Sequence, residues 1–309
     1  MDWPKGDTAH QAIHEGLAST TIAGLREAKH PLEVHPMKVV LFCGGGGMRL
    51  RGYADDVPKP MVQIGNRPIL WHLMKYYSHF GHKEFILCLG HKGSVIKDYF
   101  LHYDESVSND FVWSQGGQKI DFLNRDIDDW TITFVETGMN SNVGERLKAV
   151  EKYLQGEEIF LANYGDGLSD APLPAMIDAF RESKAVASLL LVQPTASFDI
   201  VNVSPDGWVT GVSALSNSDI WINGGFFVMR KDIFQYMQPG EELVREPFQR
   251  LASQRSLLTY KCNGFWQCMD TFKDKQRLEE LDQTTAPWKV WNHLKENTAN
   301  SSVTLATGI

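Results

Sequence analysis

Two aspartates far apart in the chain, Asp166 and Asp270, carry the chemistry this sequence offers. Asp166 follows an apolar run in Asn163-Tyr164-Gly165-Asp166-Gly167, and Asp270 ends the aromatic stretch Gly264-Phe265-Trp266-Gln267-Cys268-Met269. Upstream, another apolar run gives way to Gly44-Gly45-Gly46-Gly47-Met48-Arg49, and Lys59 follows between Pro58 and Pro60. A strand that ends in glycines presents backbone N–H groups with no side chains in the way, which makes an anion nest. Arg49 adds a permanent charge with a fork of donors suited to phosphate oxygens. The flanking prolines hold the Lys59 backbone extended, which lowers the entropy cost of aiming a long side chain. Two carboxylates, a backbone cradle, an arginine and a lysine are what a magnesium-dependent attack on a nucleoside triphosphate requires.

Each of these residues also has a plainer use. The glycines could form a structural turn, Asp166 could close a turn, and Asp270 could cap a helix starting near Thr271. Arg146, in Gly144-Glu145-Arg146-Leu147-Lys148, could be a solvated helix residue. The glycine run does not match the dinucleotide-binding fingerprint, because Arg49 stands where that helix would begin. No Gly-Lys-Ser/Thr follows it, which excludes the ATPase-type phosphate loop.

The elements that must position these residues read as alternating strands and helices. Residues 37–43, 84–89, 130–137, 159–163 and 185–192 read as strands. Residues 66–81, 93–103, 144–154 and 173–183 read as helices between them. That alternation predicts an α/β fold with a Rossmann-like, mostly parallel mixed sheet flanked by helices. After Val192 the pattern changes. Residues 200–203 and 208–212 flank the hairpin-type turn Ser204-Pro205-Asp206-Gly207, and 222–229 and 257–260 are further strands. These antiparallel additions to an open parallel sheet are expected to carry a second substrate's pocket. Residues 1–36 form an extension in which Ile13, Leu17, Ile22 and Leu25 suggest a short amphipathic helix. Residues 37–294 read as one domain, and 295–309 as a polar tail.

Composition narrows the partners. The chain has 309 residues and a formal net charge of −8, so no basic footprint points to nucleic acid. An acidic protein that handles phosphates must gather positive charge locally, which draws attention to Arg49, Lys59 and Arg146. No apolar stretch is long enough to span a membrane, and the polar N-terminus argues against a signal peptide. Cys43, Cys88, Cys262 and Cys268 lack metal-ligand spacing and read as reduced thiols in a cytoplasmic protein.

Several motifs in order carry a family resemblance: Gly44-Gly45-x-Gly47-x-Arg49-Leu50, Lys59-Pro60-Met61, Pro68-Ile69-Leu70-Trp71-His72, Leu89-Gly90-His91-Lys92-Gly93, Tyr164-Gly165-Asp166-Gly167, Ile222-Asn223-Gly224-Gly225-Phe226-Phe227, Met269-Asp270-Thr271 and Ala286-Pro287-Trp288-Lys289. The chain resembles the sugar-1-phosphate nucleotidylyltransferases, and within them the glucose-1-phosphate cytidylyltransferase branch. The resemblance implies that a sugar 1-phosphate oxygen attacks the α-phosphorus of CTP, or of another nucleoside triphosphate, with release of pyrophosphate. It implies Asp166 and Asp270 as ligands of Mg2+, with Arg49 and Lys59 as the catalytic cations. It places Phe42, Cys43, Gly44, Gly45, Gly46, Gly47, Met48, Gly90, Ser141, Arg146 and Gly165 around the nucleotide. Asn223, Gly224 and Trp266 fall to the sugar phosphate. A homo-oligomer is expected as well.

The chain departs from that family at two points. Met48 stands where members usually carry a threonine, whose hydroxyl can donate to a phosphate. Residues 212–219 lack the usual Glu-Lys-Pro, whose lysine binds the sugar phosphate. Either another basic residue substitutes, or the acceptor is a modified sugar phosphate or a cyclitol phosphate.

Overall fold

The computed structural model describes residues 35–45, 57–194, 198–215 and 218–292. The expected helix and extension of residues 1–34, the tail after Asn292, and Gly46, Gly47, Met48 and Arg49 lie outside them.

Local sequence accounts for the first strands. In β1, Lys38–Phe42, every residue after Lys38 is buried, and alternate side chains enter opposite faces. Val39 and Leu41 join one core, Val40 and Phe42 the other. The same two-sided burial runs through β2, Glu84–Leu89, and β4, Ile159–Tyr164. Such strands need helices on both faces. The first core takes α1 (Ile69–His79), α2 (Gly93–Leu101) and α4 (Leu173–Glu182), and the second takes α3 (Val143–Val150) and α5 (Glu246–Ser253).

The strands β1, β2, β3 (Thr131–Glu136) and β4 are parallel. Next come the short β5, Gly167–Ser169, and then β6, Ala187–Val192. The expected strand over 222–229 is in fact two pieces, β7 (Ile222–Asn223) and β8 (Phe227–Arg230). Gly225 (φ 77°) and Phe226 (φ 48°) break it. Left-handed backbone at two successive residues cannot continue a ladder, and glycine takes that geometry at no steric cost. The sheet order is β3-β2-β1-β4-β8-β6, with β7 also on β6. The strand β9, Leu257–Lys261, pairs in parallel with β6. Outside this sheet, β10 (Trp266–Cys268) pairs with β5, and α6 spans Phe272–Asp282.

The hairpin over 199–214 forms as the turn residues predict, with Asp199–Val203 antiparallel to Val209–Ala214. A second hairpin, Phe111–Ser114 with Lys119–Phe122, was not legible in the sequence. No helix among the described residues is long and apolar enough to cross a membrane.

Candidate active site

The site gathers at the carboxyl ends of β1, β2 and β4. Beyond β1 the ladder persists for one residue on either side. Cys43 N donates to Cys88 O at 3.0 Å, and Gly165 N donates to Phe42 O at 3.1 Å. Gly165 packs tightly there: a Cβ would come within 3.1 Å of the Pro60 ring and 3.2 Å of Cys43 Sγ.

Arg146 secures the chain at Gly44, where it leaves β1. It projects from α3 and is only 4% exposed, which excludes the solvated alternative. Nη1 donates to Leu89 O (3.1 Å), Thr137 Oγ1 (2.7 Å) and Gly138 O (2.9 Å), and Nη2 donates to Gly44 O (2.8 Å). One guanidinium thus ties together the chain leaving β1, β2 and β3. C=O and N–H point in opposite directions across a trans peptide, so fixing Gly44 O on Arg146 turns the Gly45 N–H away from it. Gly90 packs against the same guanidinium, with no room for a side chain: its Cβ would lie 2.8 Å from Nη1 and 2.9 Å from Gly138 O. Ser141 donates its hydroxyl to Thr137 O at 2.6 Å.

The two aspartates meet through strand register. Asp166 immediately precedes β5, and Asp270 lies two residues beyond β10. Those strands pair antiparallel with Gly167 opposite Cys268, and Met269 N donates to Asp166 O at 2.9 Å. Lys59, in a single 3-10 turn begun by Pro58, sends its ammonium between the two carboxylates. It pairs closely with Asp270 and lies 3.6 Å from Asp166 Oδ2. Burial pushes the Asp166 carboxyl up; the Lys59 charge opposes that shift and the Asp270 charge adds to it. Asp270 is not the cap of α6. Thr271 is, with Asp274 completing a capping box, which leaves the Asp270 carboxylate to the site.

A cavity of about 210 Å³ opens here. Phe42, Cys43, Gly44, Gly45, Lys59, Ser141, Arg146 and Asp166, all expected from sequence, border it. Gly90 and Gly165 support its walls from behind. Tyr164, Asn142 and Glu242 border it too and were not singled out from sequence. Tyr164 had a readable signal, since it stands two residues before Asp166 at the end of a buried strand. Glu242 had none, because it arrives on a loop before α5.

The expected sugar-phosphate residues lie beside this cavity. Asn223 Nδ2 donates to the Tyr164 hydroxyl at 3.1 Å, and Trp266 Nε1 donates to Gly224 O at 2.8 Å. Burial pushes the Tyr164 phenol up to about 12, and the nearby Glu242 carboxylate adds to the shift. Leu191 of β6 pairs with Asn223 on one side and Lys261 on the other. Register partners share a face, so Lys261 stands in the same row as Asn223. Its ammonium lies 4.6 Å from the centroid of the Trp221 ring.

Two carboxylates that already share one cation, beside a cavity bordered by Gly44 and Gly45, are chemically fit to hold a divalent ion together with phosphate oxygens. Among the described residues no cluster of three or more side chains could hold a metal by itself.

Residues 38–212 match the family described as nucleotidyl transferase. The chain is 39% identical over 258 residues to the glucose-1-phosphate cytidylyltransferase of Salmonella typhi, covering 82% of this chain and 100% of that protein. It is 29% identical to the D-glycero-alpha-D-manno-heptose 1-phosphate guanylyltransferase of Campylobacter jejuni, over 71% of this chain and 89% of that one. The fold is similar to that of a UDP-glucose pyrophosphorylase solved with UDP-glucose, with a TM-score of 0.59 at 15% identity, covering 80% of this chain and 98% of that chain. Motif order, sheet topology and similarity across the full length of the Salmonella protein agree that this chain belongs to the nucleotidyl transferase family.

Proposed function

We propose that this protein transfers a cytidylyl group from CTP to a sugar 1-phosphate. An oxygen of the acceptor phosphate bonds to the α-phosphorus, the bond from that phosphorus to the bridging oxygen breaks, and pyrophosphate leaves. The acceptor is already an anion at neutral pH, so no general base is needed. The task is to bring two polyanions together and stabilise the charge that builds on the α-phosphate. The observation that carries this reading is the convergence of Asp166 and Asp270 on the Lys59 ammonium, at the rim of the cavity bordered by Gly44 and Gly45.

In this reading Asp166 and Asp270 would hold Mg2+, which would supply positive charge to the phosphates. Lys59 and Arg49 neutralise the triphosphate, and Arg146 holds the Gly44 peptide in its binding orientation. Phe42, Cys43, Ser141 and Tyr164 wall the nucleotide. Asn223, Gly224 and Trp266 border the acceptor, and Lys261 supplies the cation that the missing Glu-Lys-Pro does not. The enzyme works in the cytoplasm as a homo-oligomer. The exposed Val201, Val203, Val209 and Val212 of one hairpin support self-association, and a monomeric mass by light scattering would remove that part.

The test is pyrophosphate release with CTP, UTP, dTTP, GTP and ATP against a panel of sugar and cyclitol 1-phosphates. Turnover with CTP is the expected result. Preference for another triphosphate removes the cytidylyl assignment. Tight CTP binding with no turnover of any acceptor identifies a binding protein in place of an enzyme.

A further inference from the structure

Glu242 borders the nucleotide cavity, yet nothing in the phosphate chemistry uses a carboxylate there. Its Oε2 accepts a long hydrogen bond from Val143 N at 3.4 Å, while Oε1 is shielded from solvent and has no hydrogen-bond partner among the described residues. A buried carboxylate oxygen without a donor costs free energy, so one that faces a cavity is a ready acceptor for a donor brought by a ligand. Its position is fixed by close backbone contact: a Cβ on Gly144 would fall 2.2 Å from Glu241 O, and Asn142 Nδ2 donates to Gly240 O at 3.0 Å. The terminal torsion of a glutamate is broad and roughly two-fold, so either oxygen can turn toward the cavity without moving the backbone.

We propose that Glu242 determines base choice, its Oε1 accepting a hydrogen bond from the exocyclic amine of cytosine. The inference rests on the nucleotidyl-transfer reading above. The residues that border the cavity beside Glu242 include the apolar Val143 and the aromatic pair Phe42 and Tyr164, whose rings lie 6.3 Å apart at 52° to each other. Cytosine presents an N4 amine, for which a carboxylate is the natural acceptor. Uracil and thymine present a carbonyl oxygen at the same place. A carboxylate would meet it acceptor to acceptor, so the group both selects the right base and repels the wrong one.

The experiment is equilibrium binding of CTP, UTP and 2′-deoxy-CTP to the full chain and to Glu242→Gln, which needs no knowledge of the acceptor. The full chain is expected to prefer CTP over UTP, and Glu242→Gln to shrink that preference at least about tenfold, with an unchanged melting temperature. Equal losses for CTP and UTP would overturn the assignment, since an acceptor for ribose or a structural carboxylate treats both alike. A 2′-deoxy-CTP deficit in the full chain that disappears in Glu242→Gln would move the contact to the ribose and overturn it too. If the full chain binds none of the three nucleotides, the transfer reading itself fails, and that result is distinct from the other two.

Discussion

At the scale of single residues, the site is built on compensation. Lys59 neutralises two carboxylates that would otherwise repel each other. Lys59→Met should therefore destabilise the protein by about 1–3 kcal/mol without divalent ions. Added Mg2+ should restore more melting temperature to that variant than to the wild type, because the ion takes over the lost charge. An equal Mg2+ response in both, followed by calorimetry, would detach the two aspartates from metal binding. Asp166 and Asp270 were legible as candidates because each follows an apolar or aromatic run and precedes a polar turn. Arg146 was legible as a residue of interest, but its use was not. No spacing announces that a helical arginine will spend its donors on Gly44, Leu89, Thr137 and Gly138.

At the scale of elements, register decides which side chains meet. The pairing of β5 with β10 sets Asp166 against Met269 and so brings Asp270 alongside. In the same way, β6 carries Asn223 on one edge and Lys261 on the other. Among the described residues Lys261 pairs with no carboxylate and rests on Trp221, so its charge is available to an anionic acceptor. Lys261→Ala should raise the acceptor KM about tenfold or more, the size of one charge-assisted contact, with the CTP KM unmoved. A change in the CTP KM alone would assign Lys261 to the nucleotide. The long helices and the parallel strands were readable from hydrophobic period and from glycine and proline stops. The hairpin over 111–122 was not, because its outward apolar residues Val112, Trp113 and Ile120 break the pattern of buried apolar and exposed polar faces.

At the scale of the whole molecule, two buried histidines tie stability to pH. Burial pushes His72 and His82 each down to about 4. His72 Nε2 lies 2.9 Å from Ile64 O, and Met37 N donates to His82 Nδ1. The unfolded chain protonates each near the ordinary value of 6.5, while the folded chain does not until about pH 4. Their contribution is therefore complete above pH 6.5 and is lost as the pH falls through that window, about 2 kcal/mol each at pH 5. Urea unfolding at pH 7 and pH 5 should reveal the loss, and His82→Gln should flatten part of the slope; an identical slope in that variant would exclude His82 as a source. Sequence by itself determined the alternating α/β body, the glycine-ended first strand and the candidate acids, because hydrophobic period and turn chemistry act over a few neighbouring residues. Only the tertiary structure decided that Asp166 and Asp270 share one cation, that Arg146 turns inward, that Glu242 borders the cavity, and that Lys261 stands in one row with Asn223. Those contacts span many tens of residues, and they depend on crossovers and strand register that no local pattern encodes.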